Sequence, residues 1–343
     1  NSWEPTNLYK KFAGMKKDEK IPVAVLSESN VSWKKKIANW IRLNLFIPDA
    51  KIGWIPFAVR KGKEIIKEHQ PDVIFSSSPP HSLQFIAKKL AKWSGLKWVA
   101  DFRDPWTDIY HYDKSSRLKF SQKADTKKEK IILQTADIVT SVSKNVSELL
   151  KKKVDLEKQF VVMPNGFDED DFVNFQSMKS DKFIVAYGGK INNQQNPKIL
   201  WEVLFKLSQQ NSEFQNNLKI KLIGNIVEEV VNDVERFELE DNLNLQGYMA
   251  HDKFLNELQE ASILLLLIPN TEKNKGILTG KLFEYLAMNK FILGLGPEDG
   301  NSAEIINNTQ SGQMVEFDDM EKLEIVIKKQ YNNWINRIEH SSN

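Results

Sequence analysis

The sequence lacks cysteine and long hydrophobic runs, and each absence excludes a class of protein. Without cysteine the chain has no disulfide, no thiolate nucleophile and no cysteine-ligated zinc or iron–sulfur site. The longest apolar run, Ile263 to Ile268, has six residues, whereas a membrane-spanning helix needs about 18. The start of the sequence carries no secretory leader pattern. We therefore expect a folded protein of the reducing cytoplasm, and 343 residues suggest two domains.

Net charge is also nearly absent, at +2, but the charges are distributed unevenly. Residues 1–165 carry +13 and residues 166–343 carry −11. An asymmetry of this size indicates that the basic half meets an anionic partner, such as nucleic acid, a phospholipid surface or a phosphorylated substrate. Nucleic acid ranks lowest of the three, because the sequence contains no recognised nucleic-acid-binding module or aromatic groove.

Short β-branched runs alternate with amphipathic helical stretches in both halves of the sequence. This alternation is typical of α/β domains with a mainly parallel sheet. A polar stretch from Pro164 to Asp181 interrupts it and contains the turn dipeptide Asn165-Gly166. We therefore predict two α/β domains, residues 1–165 and residues 166–343. The predicted strands are Val73–Phe75, Trp98–Ala100, Ile138–Val142, Phe160–Met163, Phe183–Tyr187, Ile220–Ile223, Leu243–Gln246, Ile263–Ile268 and Phe291–Leu295.

The first strand of the first half runs through a serine-rich turn into a helix. Ser82 is the predicted N-cap of that helix, and the amides of its first turn could hold an anion. The structural alternative is a stiff strand-to-helix turn with His81 as a solvated loop residue. Ligands of parallel sheets bind beyond the carboxyl ends of the strands, which makes this turn a candidate site.

The next strand ends in an Asp–Arg–Asp cluster, at Asp101, Arg103 and Asp104. Two carboxylates around one guanidinium can form a structural clamp, because arginine makes bidentate pairs with carboxylates. They can equally orient an attacking hydroxyl as a catalytic base. Both interpretations remain open, and we take the three residues as catalytic candidates.

The second half offers two candidate anion-binding motifs. Gly188 and Gly189 follow a predicted strand and would allow close approach to a ligand, while Lys190 is suited to a phosphate. Further on, Thr279 or Gly280 would cap a helix that begins with Lys281. Glu284 follows one turn later and could accept hydrogen bonds from a ribose diol. The alternative for this second motif is an ordinary amphipathic helix with a Lys/Glu pair.

Five segments of the sequence carry motifs that occur together in a known family. They are Pro71–Pro80, Val99–Trp106, Ala136–Thr140, Met163–Asp168 and Gly280–Ala287. In this order they resemble bacterial family 4 glycosyltransferases between about Ile47 and Gly312. This resemblance implies the GT-B fold, two Rossmann-like doubly wound domains facing each other across a cleft. The family also opens with a strand and a glycine-rich loop that this sequence does not show, so we expect the first domain to lack its first strand.

The resemblance also implies roles for individual residues. Glu284 matches the second glutamate of the family's Glu-x7-Glu pair, the ribose ligand, whereas the first glutamate falls on Gly276. Lys190 takes the place of the family's diphosphate-binding arginine, and Lys281 or Lys198 could replace its second basic residue. Asp101 occupies the position where the family often has a histidine near the donor sugar.

The reaction that the resemblance implies is a retaining, metal-independent transfer of a sugar from a nucleotide diphosphate donor, without a cofactor. The second domain would bind the donor, and the first domain would bind a glycan or polyprenyl-linked acceptor, with Ser78 and His81 on the acceptor side. Its basic helices could dock on an anionic membrane, making the protein peripheral at the inner face of the cell membrane. Two alternatives remain: a sugar-nucleotide epimerase of similar architecture, and a non-catalytic binding protein.

Overall fold

The computed structural model describes residues 33–108, 117–154, 159–173, 175, 178–338 and 340. The chain divides into two compact units, Asn1–Pro164 and Asn165–Asn343. Each unit contains one parallel sheet with flanking helices, so the predicted α/β class is confirmed. The expected loss of a first strand concerns residues 1–32, which lie outside the described residues. No helix in the described ranges is long and apolar enough to cross a membrane.

The first unit is built on a four-stranded parallel sheet in the order β1-β2-β3-β4. Its strands are β1 (Val73–Ser78), β2 (Lys97–Phe102), β3 (Ile138–Ser141) and β4 (Gln159–Val162). Its helices are α1 (Trp33–Leu45), α2 (Ile55–His69), α3 (Ser82–Ser94), α4 (Lys119–Thr135) and α5 (Lys144–Lys151). Trp98 and Phe102 of β2 pack with Ile132 and Leu133 of α4 in its core, which fixes where the end of β2 points.

The second unit has a six-stranded parallel sheet in the order β10-β9-β8-β5-β6-β7. Its strands are β5 (Phe183–Ile191), β6 (Leu218–Ile226), β7 (Leu243–Gln246), β8 (Ile263–Leu267), β9 (Phe291–Leu295) and β10 (Gly312–Val315). Its helices are α6 (Lys198–Gln210), α7 (Ser212–Asn217), α8 (Glu228–Arg236), α9 (His251–Leu258), α10 (Gly280–Ala287), α11 (Asn301–Asn308) and α12 (Met320–Ile335).

Strand β5 lies at the point where the strand order of the second unit reverses. The chain builds the sheet outward from β5 through β6 and β7, then returns to place β8 on the other side of β5. Successive β5 side chains alternate between two cores: Val185 packs in one and Ala186 in the other. Ligands of doubly wound sheets bind beyond the strand ends at such a reversal, which directs attention to the end of β5.

Candidate active site

The two glycine-containing motifs of the second unit meet at the end of β5. The Lys281 Nζ atom donates a hydrogen bond to the Tyr187 hydroxyl at 2.8 Å and lies 4.6 Å from the centre of its ring. The same hydroxyl donates to the main-chain carbonyl of Lys190, also at 2.8 Å. Tyr187 therefore connects the first turn of α10 with the end of β5. Lys281 of the second motif lies beside the backbone of the first motif, Gly188–Lys190.

Gly188 and Gly189 belong to strand β5, which extends beyond its predicted end at Tyr187. A Cβ atom on Gly189 would lie 2.6 Å from Lys281 Cε, and one on Gly188 would lie 2.0 Å from a ring carbon of Phe254. Gly189 also has a φ of +118°, and its strand partner Gly224 has +121°. The glycine pair thus gives room to two side chains of the protein itself, Lys281 and Phe254, rather than directly to a ligand.

The Lys281 side chain is partly buried, which removes its ammonium from part of the surrounding water. Burial lowers the pKa of Lys281 from 10.5 to about 8, while the nearby Glu284 opposes this shift. Burial, with a smaller contribution from Tyr285, raises the pKa of Tyr187 above its usual value, so its hydroxyl stays protonated. Burying a cation beside a neutral hydroxyl costs free energy. An anion that binds next to this cation is therefore strongly stabilised.

Thr279 is the N-cap residue of α10, as the sequence predicted for Thr279 or Gly280, but its hydroxyl does not cap the helix. Its buried Oγ1 atom has no hydrogen-bond partner in the part of the chain that the structure describes. The loop before it is tied to the start of α11, because Asn301 donates its amide to the Lys275 carbonyl and the Ser302 hydroxyl donates to the Ile277 carbonyl. Thr279, Lys281 and the start of α10 together can bind an anion.

Glu284 lies one turn into α10, with 29% of its side chain exposed. Its Oε1 atom lies 3.3 Å from Nε2 of His251, the first residue of α9. The other ring nitrogen of His251 lies 3.7 Å from Oδ2 of Asp171. The sequence analysis missed both His251 and Asp171, since neither directly follows a strand or matches one of the family segments.

A pocket of about 360 Å³ lies beyond the ends of β5, β8 and β9. Lys198, at its edge, is paired with Glu229 at 3.2 Å and Asp233 at 3.4 Å, and these hydrogen bonds, Glu229 first, raise the pKa of Lys198. Of the two lysines considered for the second basic position, Lys198 is therefore paired with two carboxylates, whereas Lys281 has no carboxylate within ion-pair distance among the described residues. The pocket is lined by residues 193–199, Leu267, Ile268, Asn270, Leu295 and Phe317.

In the first unit, Asp101 is the centre of a buried hydrogen-bond network. The Ser77 hydroxyl donates to one carboxylate oxygen and the Thr140 hydroxyl to the other, each at 2.6 Å. Asp101 is only 3% exposed, and Arg103 Nη1 lies 3.6 Å from its Oδ1 atom. These contacts join β1, β2 and β3. The geometry therefore favours Asp101 as a structural clamp over Asp101 as a catalytic base, which would have to reach the hydroxyl of an acceptor.

Arg103 and Asp104 follow Asp101 but are more accessible. Arg103 is half-buried and donates from Nη1 to the Met163 carbonyl at 3.0 Å, across the end of the sheet. Asp104 is exposed at the carboxyl end of β2. Of the two carboxylates in the predicted cluster, Asp104 is the one whose position leaves it accessible to a substrate.

The loop between β1 and α3 differs from both of its predicted forms. The helix begins at Ser82 with His81 as N-cap, and the Ser82 amide is bound at 2.7 Å by the carboxylate of Asp49, so the predicted Ser82 cap is wrong. His81 is not solvated either. Its ring stacks on Trp106 at 4.6 Å, and burial, with a smaller contribution from Lys153, lowers its pKa to about 3. The Ser78 hydroxyl is buried and donates to the Asp101 carbonyl.

Three ion pairs, two of them sharing Lys153, hold the segment after β2, and the sequence analysis found none of them. The Lys153 ammonium contacts Glu129 at 2.7 Å and Asp108 at 2.6 Å. Trp106 Nε1 donates to Asp125, which is paired with Arg117 at 2.8 Å. Because the partners come from α4 and from beyond α5, these contacts depend on tertiary packing rather than on a local motif.

Residues 25–171 match the model of Glycosyltransferase Family 4, which confirms the family resemblance over that part of the chain. No curated protein matches the sequence. The family match covers the first unit and the first residues of the second, so it does not reach the cluster around Lys281.

The chain is similar in fold to solved GT-B enzymes, and the predicted fold class is confirmed. Sucrose-phosphate synthase from Thermosynechococcus elongatus is 15% identical with a TM-score of 0.59, over 84% of this chain and 72% of that one. TarM of S. aureus, solved with UDP, is 14% identical with a TM-score of 0.59, over 85% of this chain and 54% of that one. HepE of Anabaena, solved with UDP and glucose, is 12% identical with a TM-score of 0.56, over 80% and 71%.

Proposed function

We propose that this chain is a retaining glycosyltransferase with a nucleotide diphosphate sugar as donor, because it has the GT-B fold and its residues 25–171 match Glycosyltransferase Family 4. The acceptor is a glycan or a polyprenyl-linked sugar of bacterial surface polysaccharide synthesis. The second unit binds the donor, and the first unit binds the acceptor. Neither a metal ion nor a cofactor takes part.

The observation that carries this proposal is the position of Lys281 against Tyr187 and Gly189. Its ammonium is a partly buried cation at the switch point of a doubly wound sheet, where ligands of such folds bind. A diphosphate that becomes a leaving group gains negative charge, and a preorganised cation in a dry site stabilises that charge. Lys190, exposed at the end of the same strand, supplies a second positive charge.

Glu284 binds the ribose of the donor in this proposal, through hydrogen bonds from the two ribose hydroxyls. Its carboxylate is partly exposed, and among the described residues only its Oε1 atom has a hydrogen-bond contact, to His251. Gly276 leaves the family's first glutamate position without a carboxylate. Backbone amides between Gly276 and Gly280 therefore take over contacts to the donor sugar, together with the buried hydroxyl of Thr279, which has no hydrogen-bond partner among the described residues.

In the reaction that we propose, the bond from the sugar C1 atom to the diphosphate breaks, and a bond to the acceptor oxygen forms on the same face. The proton of the acceptor hydroxyl passes to the leaving phosphate oxygen, with Asp104 assisting and Arg103 holding the strand end. Asp101 acts as the clamp that fixes this strand end, because both of its oxygens are occupied. Ser78 and His81, both buried, support the acceptor side of the first unit.

The test is a donor screen followed by product analysis. Thermal shift with UDP, GDP and ADP identifies the nucleotide, and turnover of the matching sugar donor is then followed with and without a polyprenyl-diphosphate-linked sugar. Transfer only when the acceptor is present, with the anomeric configuration retained by NMR, is the expected result. Conversion of the donor without acceptor would instead indicate an epimerase, and binding without turnover would indicate a non-catalytic protein.

We also propose that the first unit docks on an anionic membrane through helices α2 and α3. Lys63 and Lys67 both place their ammonium groups over the exposed ring of Trp93, 5.0 and 5.9 Å from its centre. The pKa of Lys88 is lowered mainly by burial and to a smaller extent by the neighbouring charge of Lys92. We define the α2–α3 basic surface as Arg60, Lys61, Lys63, Lys67, Lys88, Lys89 and Lys92. The side chains of Lys34, Lys35 and Lys36 lie outside the described residues.

Liposome flotation tests this docking surface. Each lysine or arginine near an anionic bilayer contributes about 1 kcal/mol, so replacing Arg60, Lys63 and Lys67 by Gln is expected to lower recovery with phosphatidylglycerol vesicles at least about tenfold. The matched control replaces Lys123, Lys127 and Lys130 of α4 by Gln and removes the same charge elsewhere in the unit. Equal recovery with anionic and neutral vesicles, or equal losses in both triple variants, would contradict the proposal.

A further inference from the structure

The starting point is the contact between Glu284 and His251. A glutamate side chain has several freely rotating bonds, and ordering it when a ligand binds costs free energy. In this structure the Oε1 atom of Glu284 already lies 3.3 Å from His251 Nε2. One oxygen of the carboxylate is thereby held, and the other remains available on a side chain that is 29% exposed.

His251 is itself held from the other side by Asp171, whose Oδ2 atom lies 3.7 Å from Nδ1. Asp171 belongs to a short 3-10 turn, Glu169–Phe172, that is capped by the Asp168 side chain. Phe172 of this turn packs against the core between the sheet and α10. The imidazole therefore lies between two carboxylates, at hydrogen-bond distance from Glu284 and at the longer ion-pair distance of 3.7 Å from Asp171.

The start of α9 is fixed to strand β5, which sets the position of the His251 ring. Phe254, in the first turn of α9, packs on Gly188 so closely that a Cβ atom there would overlap its ring. The same strand carries Gly189, on which Lys281 lies. Through the glycine pair, α9 and α10 are both anchored to β5, and His251 and Glu284 are brought together by these anchors.

We propose that His251 is a positioning residue, which holds the Glu284 carboxylate in the orientation that receives the ribose hydroxyls of the nucleotide. This inference rests on the proposed function, because it takes Glu284 as the ribose ligand. His251 itself does not touch the substrate. Its contribution is to reduce the freedom of Glu284 before the nucleotide binds, so it acts on recognition of the ribose and not on the diphosphate.

The experiment measures how strongly each variant prefers a ribonucleotide over its 2′-deoxy form. Dissociation constants for UDP, GDP and ADP and for dUDP, dGDP and dADP are determined by calorimetry on the full chain, and the pair with the tightest binding is used. In His251→Ala the preference is expected to fall about three- to tenfold, with a smaller loss of affinity for the 2′-deoxy nucleotide, which keeps only its 3′-hydroxyl to donate to Glu284. His251→Gln keeps an N–H donor near Nε2 and is expected to retain most of the preference.

Glu284→Ala and the double variant separate failure of this inference from failure of the proposed function. Glu284→Ala is expected to abolish the preference, and adding His251→Ala to it is expected to change nothing more. If Glu284→Ala loses the preference but His251→Ala keeps it, the positioning role is overturned and the ribose site stands. If Glu284→Ala keeps the preference, or none of the six nucleotides binds, the proposed ribose site fails and this inference fails with it.

Discussion

The polar cluster around Asp101 in the first unit and the cluster around Lys281 in the second unit look similar in sequence but differ in their contacts. Both contain charged side chains at the end of a parallel strand. The Asp101 carboxylate is buried with both oxygens bound by hydroxyls, whereas Lys281 is buried against a single hydroxyl and a ring. The first arrangement stabilises the fold, while the second costs stability until an anion binds.

This difference shows how a structural site and a binding site can be told apart. In a hydrogen-bond network whose members satisfy one another, few donors or acceptors remain for a ligand. Lys281 is a partly buried cation that has no carboxylate within ion-pair distance among the described residues, and the hydroxyl of Thr279, two positions earlier, has no hydrogen-bond partner among them either. Both groups therefore have unused binding capacity. Three predictions test the comparison, from the largest expected effect to the smallest.

The largest effect is expected for turnover in Lys281→Met. Methionine has a similar length but no charge, so the leaving diphosphate loses its buried cation. Removing one preorganised electrostatic contact of this kind costs about 10²- to 10³-fold in kcat. Steady-state kinetics with the donor found in the screen measure it. Lys328→Met on α12, whose lysine is an exposed partner of Glu324, is the matched control and is expected to have wild-type activity.

The next effect is an increase in stability for the same variant at neutral pH. The folded-state pKa of Lys281, about 8, lies below the ordinary 10.5, so the unfolded chain binds more protons between these values. Burial of the ammonium therefore destabilises the fold by its full amount below pH 8. This destabilisation disappears as the pH rises to 10.5. Lys281→Met is expected to raise the free energy of unfolding at pH 7 by about 1 to 3 kcal/mol.

Urea unfolding of the second unit at pH 7 and pH 10 measures this change. The difference in free energy of unfolding between Lys281→Met and the wild type is expected to be smaller at pH 10 than at pH 7. For Lys328→Met this difference is expected to be the same at both pH values. A variant that is less stable than the wild type at pH 7 would show that Lys281 contributes to the fold. It would then resemble Asp101, and the contrast between the two clusters would be lost.

A smaller effect of opposite sign is expected for Asp101→Asn. The amide keeps the shape of the side chain but replaces one of two accepting oxygens by a donor, so the first unit should lose about 1 to 2 kcal/mol of stability. Turnover of the folded protein is expected to stay within about threefold. Asp104→Asn, the same change at an exposed position, is expected to alter stability by less than about 1 kcal/mol.

Unfolding of the first unit and kcat at saturating donor decide between the two interpretations of Asp101. A loss of turnover of more than about 10²-fold with unchanged stability would restore Asp101 as a catalytic base.

Much of the fold could be predicted from the sequence because the strands are short runs of β-branched and aliphatic residues. The nine predicted strands are all present, and Leu243–Gln246 and Phe291–Leu295 have the predicted bounds. Strand β10 was missed because Gly312 and Gln313 interrupt its apolar pattern. Helices α1 and α2 were missed because they precede the part of the sequence in which strand runs and helical stretches alternate. The end of β5 was placed too early, since a glycine pair usually ends a strand.

The candidate site could be predicted only in part, for reasons of tertiary contact. Lys281 and Glu284 carry a local signal, a capped helix start with charges one turn apart. The roles of Tyr187 and His251 depend on which helices pack on β5, and the nearby sequence does not encode that. The same holds for Asp49, which binds the Ser82 amide from 33 positions away.

The pH dependence of nucleotide affinity tests the central claim, that Lys281 is the buried cation of the diphosphate site. Only the charged ammonium attracts a diphosphate, so affinity should fall as the pH rises through the Lys281 pKa of about 8. The measurement is the UDP dissociation constant, or that of the better nucleotide from the screen, at pH 7 and pH 9. We predict a loss of about tenfold in the wild type and none in Lys281→Met. An equal pH dependence in both proteins would contradict the account.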